Sequence, residues 1–451
     1  MPGKKNKTSR TGDEVFTLEI TDLNHLGEGV GKADGFALFV PEALPGEIVR
    51  ASITTIRKNY AEATLLSRVK TSPNRIVPPC PYFYRCGGCQ LQHLDYESQL
   101  IWKQKMITET LRRIAAVDIP VSPVLGMEKP WHYRNKAQIH LDTSNRQVLA
   151  GFFEKKSRHI VDVQDCLVQH PLNAQIINVI RSAVQQCVNM DTGAGTKNLP
   201  VTDAAVRTSF ATAECLVTFT INKDSIDLLN KLTALIISES KDRLAGVTAL
   251  KIDNTDRRKH LISLFGETYL KEEIGPYRYK ISPQSFFQVN PLQAAVLYRQ
   301  AAELAGSPGT AFDLYCGTGN FSLYLSRRAK RVIGVDSENS AIADARANAA
   351  LNNINNVEFV NARAEAVPDL LQHGKRPITI FLNPPRKGSS DELLDAVVKA
   401  KPDRIVYISC NPATLARDLG VLQKAGFNAR QVQPVDMFPH TSHVESVVLI
   451  E

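Results

Sequence analysis

The sequence predicts an α/β protein built from three parts, and three observations predict it. From about residue 276 onward, apolar strand patterns alternate with helical ones, which is typical of a mostly parallel sheet covered by helices on both faces. Residues 13–72 show short strand patterns broken by glycine turns, as in a small five-stranded β-barrel. Residues 73–275 mix strands and helices and contain a group of cysteines, which favours a central α+β domain.

The bulk composition places the chain among ordinary globular proteins. Its 451 residues suit two or three domains, and 43% are hydrophobic and 22% charged. No apolar run approaches the roughly 20 residues that span a bilayer, and the first residues lack the apolar stretch of a signal peptide. We therefore expect a cytoplasmic protein without membrane association. The net charge of +8 favours a polyanionic partner, although a soluble basic protein without such a partner would show it too.

The N-terminal region is predicted to begin with a disordered basic arm at residues 1–12. Gly27, Gly29 and Gly31 are expected to form a turn between the first two strands of the barrel. A barrel of this size resembles the oligonucleotide-binding kind, whose cations and aromatics meet RNA. Lysines that merely face water remain the alternative. The predicted strands are Val15–Ile20, Ala37–Val40, Ile48–Ile56 and Ala61–Leu66.

The central region opens with Cys80, Cys86 and Cys89, and Cys166 follows far along the chain. In a cytosolic protein, clustered cysteines indicate metal binding or catalysis rather than disulfides. Four thiolates suit either Zn²⁺ or a 4Fe–4S cluster, and the spacing alone leaves both open. An amphipathic helix is predicted from Asp95 to about Ala115.

The C-terminal region is predicted to hold six apolar strands separated by helices. Ligands of such sheets bind beyond the carboxyl ends of the strands. The strands are expected at Ala311–Cys316, Arg331–Asp336, Val357–Val360, Ile378–Leu382, Arg404–Ser409 and Val444–Ile450, and the helices near 292–305, 339–352, 391–400 and 413–425.

A glycine-containing segment, Asp313–Ser322, follows the first of these strands and opens a helix. Glycines there let the backbone approach a ligand closely, and Asp336 at the end of the next strand offers a carboxylate to ribose hydroxyls. A dinucleotide fingerprint would require glycine where Ser322 stands. The segment therefore favours a Rossmann-like domain that binds S-adenosylmethionine, with a dinucleotide enzyme as the alternative.

A cysteine, Cys410, lies at the end of a strand and just before a helix that begins near Pro412. We expect the helix N-terminus to give it thiolate character. A thiolate that adds to carbon 6 of uracil makes carbon 5 nucleophilic towards a methyl sulfonium, and a base must then remove the carbon-5 proton. Glu445, on the last strand, is the candidate base. A buried core cysteine and a surface glutamate are the alternatives.

Together these motifs resemble the bacterial RNA 5-methyluridine methyltransferases, in particular the class that carries an N-terminal TRAM domain and an iron–sulfur cluster and acts on 23S ribosomal RNA. The resemblance covers nearly the whole chain. It is carried most specifically by Ser285–Pro291, Asp313–Gly319, Asn383–Gly388, Ser409–Pro412 and His443–Glu445.

The resemblance implies a role for ten residues. S-adenosylmethionine would contact Gln288, Tyr315, Asp336 and Asn383; Cys410 would be the nucleophile and Glu445 the base; a 4Fe–4S cluster would be held by Cys80, Cys86, Cys89 and Cys166. Many relatives have aspartate where this chain has Asn383, and glutamate where it has Asp336. Asn383 lacks the negative charge of that aspartate, so its role is less defined than that of the other three residues. Either Phe286 or Phe287 would stack on the extruded uracil.

The expected activity is therefore methylation of carbon 5 of a uridine in 23S ribosomal RNA by a monomeric enzyme. Three alternatives remain at this point. The same chemistry can act on transfer RNA, the chain can be a non-catalytic RNA-binding iron–sulfur protein, or it can be a redox enzyme that joins a dinucleotide to an iron–sulfur centre.

Overall fold

The computed structural model describes residues 15–33, 35–145, 147–190, 201–221, 226–252, 259–363, 367–372 and 374–451. The arm predicted at residues 1–12 lies outside the described residues. The chain divides into two compact units. The first comprises the chain up to Phe83, Gly88–Met106 and His440–Ser442, and the second comprises Tyr84–Gly87, Ile107–Pro439 and His443–Glu451. Within the described ranges, no helix combines the length and apolarity needed to cross a bilayer.

The first unit contains a barrel of five strands, as the sequence predicts. These are β1 (Val15–Leu23), β2 (Gly29–Ala33), β3 (Phe36–Val40), β4 (Ile48–Ile56) and β5 (Tyr60–Lys70). They close in the order β1-β2-β3-β5-β4. Alternate apolar side chains, among them Leu18, Ile20 and Leu38, fill the interior. A buried carboxylate, Glu47, is held by Arg75 at 2.6 Å beside this core.

The expected glycine turn between the first two strands is wrong in part. Gly27 does adopt a turn conformation, with φ of 79°, but Gly29 and Gly31 lie within β2. A Cβ atom on Gly31 would lie 2.5 Å from Leu18 Cδ1 and 2.8 Å from the carbonyl oxygen of Glu19. Glycine is therefore required there by the close packing of a small barrel, and not by a change of chain direction.

The second unit contains two sheets of seven strands each within the described residues. The elements of the first sheet and its helices are β6 (Lys136–Asn145), β7 (Gln147–Phe153), β8 (Ile160–Asp162), α2 (Pro171–Met190), β9 (Val201–Thr208), β10 (Cys215–Ile221), α3 (Ile226–Ser240), β11 (Leu244–Ile252) and β12 (Lys259–Gly266). The strands run in the order β12-β11-β10-β9-β6-β7-β8. On one face of the sheet, Ala137, Ile139 and Val206 pack against helices α2 and α3. The helix predicted from Asp95 is α1 (Tyr96–Ala115).

A hairpin of β13 (Leu270–Ile274) and β14 (Tyr277–Ile281) leads to the second sheet. The elements of that sheet and its helices are α4 (Pro291–Leu304), β15 (Thr310–Leu314), α5 (Asn320–Leu325), β16 (Arg331–Asp336), α6 (Asn339–Leu351), β17 (Val357–Asn361), α7 (Val367–Gln372), β18 (Ile378–Leu382), α8 (Asp391–Ala400), β19 (Arg404–Ser409), α9 (Pro412–Lys424), β20 (Ala429–Val435) and β21 (Glu445–Ile450). The strands run in the order β17-β16-β15-β18-β19-β21-β20, which confirms the predicted α/β domain.

Strands β15 to β19 are parallel, so their carboxyl ends meet at one edge of the sheet. Strand β21 lies antiparallel to β19 and therefore begins at that same edge. The sheet order alone thus brings the segments that follow β15, β16, β18 and β19 and the first residue of β21 to one side of the domain.

Candidate active site

The loop after β15 is shaped by left-handed backbone conformations at Tyr315, Gly317 and Gly319. A Cβ atom on Gly319 would lie 2.8 Å from the ring of Phe359, so glycine is required there by both conformation and packing. A Cβ on Gly317 would meet no atom of the protein within 4 Å. The loop therefore presents open backbone at the carboxyl edge of the sheet, as a site for a closely bound ligand requires.

Tyr315 and Asp336 line the same cleft. One oxygen of the Asp336 carboxylate accepts a hydrogen bond from the backbone N–H of Gly317 and the other from that of Glu338, both at 2.9 Å. These bonds fix the carboxylate and leave lone pairs that can accept ribose hydroxyls. The lining residues are Leu314, Tyr315, Val335, Asp336, Ser337, Ala362, Arg363, Val367 and Leu393.

Gln288 and Asn383, the other two expected cofactor contacts, do not line this cleft. Gln288 is buried. Asn383 directly follows β18, and its backbone N–H donates to the carbonyl of Leu314 at 3.3 Å. Asn383 is thus beside Tyr315 at the sheet edge, whereas Gln288 is part of the packing beneath.

The serine that departs from the dinucleotide fingerprint has a defined structural role. Ser322 is fully buried and its hydroxyl donates to Asp313 Oδ2 at 2.5 Å. Burial raises the pKa of Asp313 to about 7, and the bond from Ser322 opposes that rise. A glycine at this position would leave the buried carboxyl group of Asp313 without that partner.

The sheet register brings Cys410 and Glu445 to facing positions. Ser409, the last residue of β19, pairs with Ser446 of β21, so the next pair outward is Cys410 and Glu445. Asn411 then caps α9, because its side chain accepts a hydrogen bond from the backbone N–H of Ala413 at 3.1 Å. Cys410 is partly buried, and Glu445 is 7% exposed. The Cys410 thiol and the buried Glu445 carboxyl group therefore lie next to each other at the carboxyl edge of the sheet.

A third side chain of this group, Arg386, was missed by sequence reasoning. It lies in the loop after β18, and its positive charge acts electrostatically on both Cys410 and Glu445. Its carbonyl oxygen accepts bonds from Asn411 Nδ2 at 2.9 Å and Thr414 Oγ1 at 3.3 Å. The available signal was the Asn-Pro-Pro-Arg run, in which only the asparagine was assigned a role.

The electrostatics of the pair contradict the expected thiolate character of Cys410. Burial raises the pKa of the Cys410 thiol, the Glu445 carboxylate raises it further, and Arg386 opposes both; the result is about 11. Burial likewise raises the pKa of Glu445 to about 8. Helix α9 begins only at Pro412, and its dipole does not outweigh burial and the facing carboxylate. The thiol is therefore protonated at neutral pH and needs an acceptor for its proton.

A buried network holds the loop that carries Arg386. Asp418 on α9 is fully buried and accepts hydrogen bonds from the Tyr407 hydroxyl at 2.5 Å and the Ser389 backbone N–H at 2.9 Å. These bonds hold the loop that lies beside Cys410.

The structure distinguishes the two phenylalanines that the sequence left equivalent. Phe287 is 2% exposed and belongs to the core of the domain, whereas Phe286 is 72% exposed. A large apolar ring with that exposure is free to meet a ligand. Of the two, Phe286 is the residue available for stacking.

Four cysteines, Cys80, Cys86, Cys89 and Cys166, are expected to bind a metal. Within the described residues, which include all four, no group of three or more histidine, cysteine or acidic side chains is arranged to hold a metal ion. Cys86 forms a short antiparallel bridge with Glu154 at the end of β7. Two other cysteines, Cys187 and Cys215, lie in the core between the first sheet and its helices.

Comparisons with known proteins cover the whole chain. Residues 95–451 match the tRNA (uracil-5-)-methyltransferase family, and residues 10–66 match the TRAM domain. An uncharacterized RNA methyltransferase of Halalkalibacterium halodurans is 40% identical over 97% of both chains. Another from Clostridium tetani is 38% identical over 100% of this chain and 97% of its own.

Among solved structures, the crystal structure of Pyrococcus abyssi tRNA (uracil-54, C5)-methyltransferase in complex with S-adenosyl-L-homocysteine is similar to this chain. The two are 26% identical with a TM-score of 0.74, and the match covers 97% of this chain and 100% of the other.

Proposed function

This chain belongs to the tRNA (uracil-5-)-methyltransferase family, and on that premise we propose that it methylates carbon 5 of a uridine through a covalent adduct between Cys410 and carbon 6. The observation that carries the proposal is the facing pair of Cys410 and Glu445 with Arg386 beside it. A buried core cysteine would need neither a facing carboxyl group nor a guanidinium close enough to act on its pKa.

S-Adenosylmethionine, the methyl donor of this family, supplies an electrophilic methyl group. The cleft beside Gly317 fits it, because Asp336 offers fixed carboxylate oxygens to ribose hydroxyls and Tyr315 offers an aromatic wall. The cleft lies at the end of β15, two strands from Cys410 at the end of β19. At about 4.8 Å per strand this separation is about 10 Å, which a cofactor and an extruded base together can span.

The protein's own groups supply the proton transfers. Ionised Glu445 accepts the proton of the Cys410 thiol, and Arg386 stabilises the thiolate as it forms. The sulfur then bonds to carbon 6, and the electrons of the carbon 5–carbon 6 double bond shift towards the carbonyl oxygen at carbon 4. Carbon 5 bonds to the methyl group as the carbon–sulfur bond of the sulfonium breaks.

Elimination restores the aromatic base and the enzyme. A carboxylate takes the proton from carbon 5, and the electrons of that carbon–hydrogen bond re-form the carbon 5–carbon 6 double bond. The bond between carbon 6 and the Cys410 sulfur then breaks, and its electrons return to the sulfur. Glu445 suits both transfers, since burial brings its pKa to about 8, near the pH at which it works. It must pass the thiol proton to solvent before it accepts the second.

We further propose 23S ribosomal RNA in the cytoplasm as the substrate. The support is the TRAM domain matched at residues 10–66 together with the five sequence motifs that resemble the ribosomal class. Transfer RNA is the second candidate, and the solved relative from Pyrococcus abyssi acts on it. Phe286 is proposed to stack on the extruded uracil, supported by its exposure.

The same resemblance supports a 4Fe–4S cluster on Cys80, Cys86, Cys89 and Cys166, although no group of side chains able to hold a metal is found among the described residues. The spacing of the first three, with five and then two residues between them, and a distant fourth suit a closed structural cluster.

The proposed function is tested by methyl transfer from labelled S-adenosylmethionine to unmodified transcripts of 23S ribosomal RNA and of transfer RNA. Label on the ribosomal transcript that digestion releases as 5-methyluridine is the expected result. Label on the transfer RNA alone would replace the substrate proposal. Label on neither, with cofactor binding intact, would refute the proposed activity.

A further inference from the structure

Two basic side chains face each other on the first sheet of the second unit. Lys136 of β6 pairs directly with Arg207 of β9, so both side chains point to the same face of the sheet. Their neighbours Ala137 and Val206 pack on the helix-covered face, which places the two cations on the opposite one. Like charges directly across a strand pair are destabilising, so packing alone does not account for this arrangement.

Arg207 lacks a complete set of partners. It is 5% exposed, its Nη2 lies 3.5 Å from the Ser285 carbonyl oxygen, and its Nη1 has no hydrogen-bond acceptor among the described residues. The nearby carboxyl group of Glu272 is engaged elsewhere, by the Ser209 hydroxyl and the backbone N–H groups of the turn that follows. A buried guanidinium with an unmet donor is costly unless an anion completes it.

A third cation extends the group. Arg134 lies two residues before Lys136, and its Nε donates a hydrogen bond to the carbonyl oxygen of Lys136 at 3.2 Å. Both residues are partly exposed. Burial and, after it, the positive charges of Arg207 and Arg134 together lower the pKa of Lys136 to about 8. The group therefore combines three cations with one nearby carboxyl group, that of Glu272, and is open to solvent on the side of Arg134 and Lys136.

The cationic group adjoins the loop that carries Phe286. The Ser285 carbonyl contacts Arg207, and the backbone N–H of Asn135 donates to the Val289 carbonyl at 2.7 Å, so both ends of residues 285–289 are attached to this sheet. Phe286, between those ends, is 72% exposed. Cations that track a backbone beside an aromatic platform are the means by which proteins hold single-stranded RNA.

We propose that Arg134, Lys136 and Arg207 form a binding site for a backbone phosphate of the substrate RNA, next to the nucleotide that stacks on Phe286. The proposal rests on the proposed function for the identity of the polyanion. A phosphate there supplies acceptor oxygens to the Arg207 and Arg134 guanidiniums and neutralises the Lys136 ammonium. A bound phosphate therefore offsets the repulsion between Lys136 and Arg207, and the site has its full set of partners only when the substrate RNA is bound.

The test uses the full-length protein and whichever unmodified transcript the wild-type enzyme methylates, with affinity measured by filter binding from about 50 to 300 mM salt. Lys136→Gln is expected to weaken binding and to lower the slope of log affinity against log salt by about one. KM for RNA rises while kcat at saturating RNA stays near the wild-type value. Arg207→Lys, which keeps the charge, is expected to retain more affinity than Arg207→Gln.

The matched control is Lys231→Gln, which removes one positive charge from an exposed position on α3. Its salt slope should equal that of the wild type. A second readout follows Lys136 directly: acetylation of its amine at pH 8, measured by peptide mass, should be suppressed by bound RNA, whereas acetylation of Lys231 should not.

A Lys136→Gln protein with the wild-type salt slope, or a Lys136 amine that RNA fails to protect, would overturn the phosphate site while leaving the methyltransferase activity intact. The proposed function fails separately, when the wild-type enzyme methylates neither transcript. Because Lys136 is only partly buried, its replacement is readable even where Arg207→Gln fails to fold.

Discussion

Replacement of Glu445 by glutamine should make Cys410 more reactive as a thiol while abolishing turnover. The pKa of Cys410 is about 11 and that of Glu445 about 8, so at pH 9 the carboxylate is ionised and only about 1% of Cys410 is thiolate. Burial, the larger cause of the rise, remains in Glu445→Gln, whereas the contribution of the carboxylate is lost. Removing the carboxylate should therefore lower the pKa of Cys410 and raise its thiolate content and its rate of alkylation at pH 9.

The assay is iodoacetamide labelling, with Cys410 resolved from the other seven cysteines by peptide mass. Glu358→Gln is the matched control, because Glu358 is an exposed residue of β17 paired with Arg331, and it should leave the labelling rate unchanged. An equal rate in Glu445→Gln and wild type, with both proteins folded, would show that the carboxylate does not act on the thiol, and the assignment of the pair would be wrong.

Three further predictions follow from the same structure. Arg386→Gln should raise the pKa of Cys410 and reduce its labelling at pH 9 several-fold, whereas Arg386→Lys should keep much of the wild-type rate; an unchanged rate in Arg386→Gln would remove the guanidinium from the site. The folded state raises the pKa of Glu445 from 4.5 to about 8, so stability is fully present below about pH 4.5 and declines up to pH 8. The loss is at most about 4–5 kcal/mol, and Glu445→Gln should flatten this decline in thermal melts; an equal decline in both proteins would contradict it. Protein purified without oxygen should contain about four irons per chain, lost on replacement of Cys80, Cys86, Cys89 or Cys166 by serine, and stoichiometric zinc would contradict the cluster.

The parallel part of the catalytic domain was predictable because its strands are buried on both faces and read as continuous apolar runs. The predicted strand at Arg331–Asp336 and helix near 391–400 correspond to β16 and α8. Strand β20 was not predicted. It is an edge strand with exposed Arg430 and Gln431 and contains Pro434, so its sequence shows neither apolar alternation nor strand propensity.

The site was predictable in its residue types but not in its electrostatics. Cys410 and Glu445 are marked by their positions at strand ends, yet only the antiparallel register shows that they face each other. The prediction of a thiolate rested on the helix dipole alone. Burial and the Glu445 carboxylate, which raise the pKa of Cys410, depend on segments that are distant in the sequence. Arg386 was overlooked because a charged residue in an exposed loop is ordinarily a solvated one.

The central claim, that Cys410 forms a covalent bond with carbon 6 of the target uracil, is tested most directly with RNA in which the target is 5-fluorouridine. Fluorine cannot leave as a proton does, so elimination stops after methyl transfer. The expected product is a methylated protein–RNA adduct that survives a denaturing gel and whose cross-linked peptide contains Cys410; Cys410→Ala should give none. Absence of the adduct where unmodified RNA is methylated, or an adduct mapped to Cys316 in the loop after β15, would contradict the proposed bond.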